Sequence, residues 1–188
     1  MNKKLDRRKK YTRQVLKDSL IALLKTRSIS SITVKEICEQ ADINRSTFYT
    51  HYKDQFDLLE QIEEEIITDL NTYLNQYNFE EEQEALQMTE KLLEYVSSKY
   101  DIFQTLLNEN ADHSFERHVM DVARSFLIQS QIIHEETDPD MAEYAITYIL
   151  SGSIYVIKQW VENGMDQPPK RIAQLINGTE GQDHRPGF

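Results

Sequence analysis

Apolar positions recur with the period of an α-helix along most of this chain, and no convincing run alternates with the period of a β-strand. Leu16, Leu20, Leu23 and Leu24 have the spacing of one apolar helix face and predict a first helix over about 6–25. All five glycines follow residue 150, so nothing before that point demands a glycine turn. The pattern predicts an all-α fold.

Two short helices follow, each with its own start signal. Thr33 and Glu36 form a Thr-x-x-Glu capping box before a helix whose apolar residues face inward. The segment "ADIN" ends this helix, and Asn44 is a favourable N-cap for a second short helix over 45–51. This pair predicts a helix-turn-helix that packs on the first helix.

The rest of the chain reads as longer helices. Asp54 can cap a helix that continues to about residue 76, and further helices are predicted over 82–98, 100–108, 114–131, 139–163 and 168–176. The polar end "NGTEGQDHRPGF" predicts a disordered tail. We therefore expect three parts: a helix-turn-helix head over 1–53, a helical ligand-binding and dimerisation body over 54–177, and the tail over 178–188.

The charge is divided unevenly along the chain. The first 53 residues hold 13 Lys+Arg against 5 Asp+Glu, a charge of +8, which leaves −19 for the rest of a chain whose formal charge is −11. A basic head on an acidic body favours nucleic-acid binding by the head. The alternative is a solvated surface whose charges happen to be uneven.

Cysteine content and hydropathy indicate the compartment. Cys38 is the only cysteine, so no disulfide framework exists and a reducing compartment is expected. The basic N-terminus lacks the apolar run of a signal peptide. The longest uncharged stretch, Tyr144–Ile157, is too short for a membrane span. We expect a cytoplasmic protein with no membrane partner.

The second short helix carries the chemistry expected of a recognition helix, which enters the DNA major groove N-terminus first. Side chains early in this helix reach base edges, and three of them suit base contacts: Arg45, Ser46 and Thr47. Later donors suit phosphate oxygens: Tyr49, His51 and Tyr52. The helix starts capped by Thr33 and Asn44 also offer backbone N–H groups to phosphates. The alternative is a three-helix packing unit with a solvated polar face.

The segment "ITVKEICEQADINRSTFYTHYKDQFDLLEQI" resembles the N-terminal signature of the TetR family of bacterial repressors. More weakly, "SGSIYVIKQWVENGMDQPPKRIAQLI" is similar to the ends of small TetR-type regulators from low-GC Gram-positive bacteria. The resemblance implies an all-helical homodimeric repressor with two DNA-binding heads, released from a palindromic operator by an unknown small-molecule effector bound in the body. It carries over these DNA-facing positions: Thr33, Arg45, Ser46, Thr47, Tyr49, His51 and Lys53.

Two positions depart from the family pattern. The turn has Asp42 where glycine is usual, and aspartate tolerates a left-handed backbone better than most residues. We expect the motif to persist at a small cost in stability. Gln55 stands where lysine is common, which removes one expected phosphate contact and leaves Lys53 as the nearest cation.

The predicted helix over 139–163 is apolar nearly all the way round, so we expect it to be buried on both sides. A dimer interface explains this, through Ile149, Gly152, Val156 and Trp160. The alternative is a central core helix in a monomer. A ligand pocket is predicted from the residues Phe103, Leu107, Phe115, His118, Phe126, Tyr144, Tyr148 and Tyr155, although each also suits plain core.

Other classes of protein find less support in the sequence. The chain lacks a Gly-rich phosphate loop, an H-E-x-x-H motif, a Cys/His metal spacing and a Gly-x-Ser-x-Gly motif, so we expect no enzyme, cofactor or metal site. A third interpretation is a DNA-binding regulator that responds to a protein partner, or to no ligand.

Overall fold

The computed structural model describes residues 2–76, 82–108, 110–111, 114–129 and 139–178, and in these ranges the chain is helical, with no strand. A short 3-10 helix spans Ile29–Ser31. The α-helices, in chain order, are α1 Asn2–Leu24, α2 Val34–Ala41, α3 Arg45–Phe48, α4 Gln55–Leu74, α5 Glu82–Ser98, α6 Tyr100–Leu106, α7 Ser114–Gln129, α8 Pro139–Glu162 and α9 Pro169–Ile176. The prediction of an all-α fold is confirmed. Within the same ranges, no helix combines the length and apolar character needed to cross a membrane.

The recognition helix is shorter than the sequence predicts. Helix α3 ends at Phe48, three residues before the predicted end at His51. The next residues form tighter turns: the Thr50 N–H donates to the Thr47 carbonyl at 3.2 Å and the His51 N–H to the Phe48 carbonyl at 2.9 Å. These i→i+3 bonds continue the spiral as tight turns rather than as α-helix.

The chain divides into two compact units, and the first is discontinuous in sequence. Unit 1 comprises Met1–Ile66 and Thr105–Phe115, whereas unit 2 comprises Ile67–Gln104 and Glu116–Phe188. The division differs from the sequence expectation of a boundary after residue 53, because half of α4 and the end of α6 pack with the head. Of the tail predicted over 178–188, residues 179–188 lie outside the described part of the chain.

Unit 1 is built on the apolar face of α1. Leu16, Leu20 and Leu24 recur every four residues and are completely buried, and α1 packs along α2. The returning segment is attached by polar bonds as well. The Ile29 N–H donates to the Asn110 carbonyl at 2.9 Å, and the Ser114 hydroxyl donates to the buried carboxyl of Glu63, with Oγ–Oε distances of 2.8 and 3.0 Å.

Unit 2 packs α5 and α8 against α9. The chain turns back after α8 through two consecutive left-handed residues, Gly164 at φ 75° and Met165 at φ 57°. Glycine adopts this conformation without steric cost, and it occupies the position where the sequence predicts a helix end. The turn brings the Gln167 carbonyl within 2.8 Å of the indole N–H of Trp160, which donates to it.

Candidate nucleic-acid interface

The turn between α2 and α3 depends on Asp42. Its backbone is left-handed, at φ 52° and ψ 42°, and the Ile43 N–H donates to the Cys38 carbonyl at 2.9 Å. A left-handed residue followed by such a bond is a common way to end a helix and reverse the chain. Asp42 therefore takes the conformation for which the family pattern uses glycine, and α3 starts at a fixed angle to α2.

The start of α2 carries the predicted capping box. The Glu36 N–H donates to Thr33 Oγ1 at 3.3 Å, and the Thr33 N–H donates to the Glu36 carboxylate at 2.9 Å. Arg27 adds a bond from Nη1 to Glu36 Oε1 of 2.7 Å. The Arg27 and Thr33 hydrogen bonds lower the pKa of Glu36 to about 2. The Thr33 hydroxyl also donates to Glu36 at 2.7 Å, so it is engaged in the cap.

Helix α3 packs on the core through Phe48 and is capped at its N-terminus by Asn44. The Phe48 side chain is completely buried and anchors the helix to the core. The Asn44 carboxamide oxygen accepts bonds from the Ser46 N–H at 3.0 Å and the Ser46 hydroxyl at 3.1 Å. Arg45 and Ser46 are exposed and Thr47 is half-buried, so the helix presents a polar face made of the residues predicted to reach bases.

The predicted phosphate donors fall into two environments. Tyr49 is 58% exposed and its ring packs edge-on against Phe48, with centroids 5.5 Å apart. Lys53 is exposed and His51 is half-buried. Tyr52, in contrast, is only 3% exposed and its ring lies 5.6 Å from that of Phe48. The placement of Tyr52 among surface phosphate donors is therefore wrong, because its hydroxyl is enclosed in unit 1.

Helix α1 contributes charges next to the predicted site residues. Burial, followed by the charges of Arg13 and Lys9, lowers the pKa of His51. These two cations are four residues apart on α1, the spacing that places side chains on one helix face. The four-residue spacing of Lys9 and Arg13 is visible in the sequence, whereas their proximity to His51 depends on the fold.

The four predicted dimer residues on α8 do not share one environment. Ile149 is 38% exposed, Val156 is half-buried, and Gly152 is exposed, with no heavy atom within 4 Å of where a Cβ would be. Trp160 is only 3% exposed and bonds the Gln167 carbonyl. The prediction that Trp160 lies in an interface is wrong, because α8 turns this side chain toward α9 and the core of its own unit.

The predicted pocket residues on α8 are exposed. Tyr144, Tyr148 and Tyr155 are 71%, 82% and 68% exposed, so the prediction that they line a pocket within one chain is wrong. Their spacing of i, i+4 and i+11 places them on the outer face of α8. The uniformly apolar pattern of this helix gave no way to tell its inner face from its outer one.

The other predicted pocket residues are split between the units. Leu107 and Phe115 are buried in unit 1, whereas Phe103 is buried in unit 2 and His118 is half-buried there. The side chain of Phe126 lies outside the described residues.

Unit 2 contains an aromatic cluster that the sequence does not predict. Tyr95 is buried between Tyr73 and Phe103, with ring centroids at 5.4 and 6.0 Å. Burial raises the pKa of Tyr95 to about 12. These three residues come from three different helices, so only the tertiary structure brings them together.

Comparison with known proteins identifies the family. Residues 83–179, more than half of the chain, match the TetR_C_8 model, described as a transcriptional regulator C-terminal region. The chain belongs to the TetR family. The resemblance to this family over Ile32–Ile62, and more weakly over 151–176, is thereby confirmed.

Two solved structures of transcriptional regulators are similar in fold to this TetR-family chain. A TetR transcriptional regulator from Streptococcus agalactiae 2603V is 24% identical, with a TM-score of 0.69 over 92% of this chain and 95% of that one. The regulator FadR from Bacillus subtilis, solved with stearoyl-CoA, is 14% identical, with a TM-score of 0.62 over 92% and 99%.

A curated relative, the uncharacterised HTH-type transcriptional regulator YxbF of Bacillus subtilis (strain 168), is 24% identical over 86% of this chain. The TetR-family chain spans only 42% of that relative's length.

Proposed function

We propose that this TetR-family chain is a sequence-specific repressor that binds a palindromic operator as a homodimer and leaves it when a small molecule binds. The observation that carries the proposal is the build of α3. A buried Phe48 and the Asn44 cap hold a four-residue helix whose remaining side chains face outward. A rigid, exposed, polar helix within the basic first 53 residues is what major-groove recognition requires.

The side chains of this face suit separate parts of a DNA duplex. Arg45 has the planar donors that bond the O6 and N7 atoms of guanine together, and Ser46 and Thr47 can bond either kind of base. Tyr49, His51 and Lys53 follow, where their donors suit phosphates. Phosphate contacts position the protein, whereas the three earlier residues supply the sequence preference.

Selection of bound duplexes from a random library tests the DNA-binding part directly, and we expect a palindrome. If each head neutralises about three or four phosphates, the logarithm of the affinity falls with a slope of about −6 against the logarithm of salt. Arg45→Ala is expected to relax the sequence preference at one base pair per half-site. A flat salt dependence with every duplex, or recovery of unrelated sequences, contradicts the proposal.

The dimer proposal is supported by the exposed tyrosines of α8. Three large aromatic rings on one helix face form an apolar surface of the kind that partner subunits cover. Gly152→Glu tests this, because the space around Gly152 is open and the monomer can accept the new side chain. We expect this variant to sediment as a monomer, whereas Gln87→Glu, an exposed change on α5, stays dimeric. A monomeric wild type at micromolar concentration contradicts the dimer.

The effector part of the proposal is supported by the aromatic cluster of Tyr73, Tyr95 and Phe103, which offers an apolar surface inside unit 2. A ligand of the native state raises the melting temperature, so a thermal-shift screen of apolar and amphiphilic compounds, with stearoyl-CoA among the latter, identifies candidates. A true effector changes DNA affinity about 5–150-fold, and operator DNA must weaken that effector by the same factor. An effector that binds equally well with saturating operator is not the regulator.

A further inference from the structure

A cleft of about 430 Å³ lies between α1 and α4. Its walls are Lys9, Lys10, Arg13, Gln14, Lys17 and Glu65, all in unit 1. Lys9, Arg13 and Lys17 follow each other at intervals of four residues, so one stripe of α1 supplies three of the four cations. The cleft therefore has the charge and size to admit a small anion.

The positive charge of this cleft is mostly uncompensated. Lys17 forms an ion pair with Glu65. Within the described part of the chain, Lys9, Lys10 and Arg13 have no carboxylate partner. Like charges four residues apart on a helix destabilise it by a few tenths of a kcal/mol. A bound anion would neutralise this stripe of cations and relieve the repulsion between them.

Two neighbouring residues connect the cleft with the predicted DNA face. His51, in the turn after α3, experiences the charges of Arg13 and Lys9. Tyr52 experiences the charges of Arg13 and Glu65, and its buried hydroxyl has no hydrogen-bond partner among the described residues. An unpaired buried donor calls for a partner such as an ion or a water molecule. The cleft thus adjoins the segment that carries the predicted phosphate donors.

We propose that this cleft binds one phosphodiester group of the operator, outside the base pairs that α3 reads, with Arg13 as its principal contact. The inference rests on the proposed DNA-binding function and extends the footprint of each head onto α1. Arg13 suits this role because a planar guanidinium bonds two phosphate oxygens at once. The exposed cations Arg7 and Arg8, two residues and one residue before Lys9, extend the positive surface along α1.

The test compares Arg13→Gln with Arg117→Gln, which removes an exposed arginine from α7 in unit 2. Each phosphate contact contributes about 0.9 to the salt slope, which corresponds to roughly eightfold in affinity at 0.1 M salt. For a dimer we expect Arg13→Gln to flatten the slope by about 1.8 and to weaken binding on the order of 60-fold. Arg117→Gln should match the wild type. Arg13 is exposed, so its variant should also melt no lower than the wild type.

A scan with single neutral methylphosphonates locates the contact along the duplex. We expect one position per half-site, outside the base pairs that specify binding, where the neutral group weakens the wild type and leaves Arg13→Gln unchanged. If the neutral group weakens both proteins equally at every position, the proposal is wrong. It is also wrong if Arg13→Gln keeps the wild-type salt slope while the wild type still selects a palindrome.

Inorganic phosphate distinguishes a free anion from DNA as the occupant. Suppose millimolar phosphate, compared with chloride at equal ionic strength, raises the melting temperature of the wild type and not of Arg13→Gln. If the salt slopes of the two proteins are also equal, the cleft holds a free anion and the DNA contact is refuted. A wild type that binds no duplex at all refutes the proposed function and this inference together.

Discussion

Asn44 combines two roles that different substitutions can separate. Its carboxamide oxygen caps α3 through the Ser46 N–H and hydroxyl, and the residue is exposed at the end of the helix that we expect to face DNA. Asn44→Ala removes the cap without adding charge. Asn44→Asp keeps an oxygen at the same position and adds a negative charge. The two variants should therefore fail in different assays.

The stability changes follow from the capping geometry. Replacing an N-cap asparagine by alanine costs about 1 kcal/mol, and α3 has only four residues over which to absorb that loss. Aspartate caps as well as asparagine does, and its charge at a helix start adds roughly 0.3–1 kcal/mol of stabilisation. We expect faster amide exchange at Phe48 and Tyr49 in the alanine variant, since these N–H groups donate to Asn44 and Arg45 at 3.1 and 3.0 Å. The aspartate variant should exchange as the wild type does.

The DNA affinities should change in the opposite order. A carboxylate at the DNA face cancels about one neutralised phosphate per head, roughly eightfold at 0.1 M salt. Alanine acts only by opening the helix. If the opening of α3 in the alanine variant still costs about 2 kcal/mol, fewer than about 5% of the molecules have α3 open, and the DNA affinity hardly changes.

Fluorescence anisotropy with the selected operator measures the affinities, and Asn163→Asp, an exposed change in unit 2, controls for added charge alone. If alanine and aspartate alter exchange and affinity in parallel, Asn44 does not have two separable roles.

Three further predictions follow from local contacts. Asp42→Gly should leave unit 1 equally stable or more stable by up to about 1 kcal/mol. Asp42→Ala should lower the stability by about 1 kcal/mol, since alanine bears the full strain of a left-handed backbone. Equal stabilities of the alanine and glycine variants in urea unfolding would refute this. Ser114→Ala should destabilise unit 1 by about 1–2 kcal/mol, because it removes the donor to buried Glu63. Its control, Ser125→Ala on the exposed face of α7, should leave the stability unchanged. Equal unfolding midpoints of the two variants contradict this prediction. Because the folded pKa of His51 is lowered, the folded state binds fewer protons than the unfolded chain. Stability therefore falls as the pH drops below about 6.5, and His51→Gln should lose less between pH 7 and 5.5 by thermal unfolding.

The helix starts of the head were predicted well, because each depends on residues that are neighbours in the sequence. The box of Thr33 and Glu36 and the cap at Asn44 each involve partners within three positions, and the structure has both. The resemblance places glycine at the turn, and Asp42 takes the left-handed conformation expected there. Helix existence and most helix ends could therefore be predicted without tertiary information.

The errors arose where a side chain's environment depends on distant segments. Tyr52 has the composition of a phosphate donor, but packing against Phe48 encloses it. On α8 the apolar residues surround the helix, so the sequence did not reveal that Trp160 faces inward and Tyr148 outward. The cluster around Tyr95 joins three helices and spans residues from Tyr73 to Phe103, for which one sequence holds no signal.

The discontinuity of unit 1 has a consequence for how the protein is made and how it can be cut. The helix-turn-helix leaves the ribosome long before Thr105–Phe115 is synthesised. Until then the Ile29 N–H lacks its acceptor, the Asn110 carbonyl, and the Glu63 carboxyl lacks its donor, the Ser114 hydroxyl. The head should therefore complete its fold only late in translation. A fragment ending at residue 66, or a chimera that takes only the N-terminal head from a relative, would lack these partners and the apolar cover of Leu106 and Phe115. Exchange of operator specificity between relatives should succeed when both segments are transferred together.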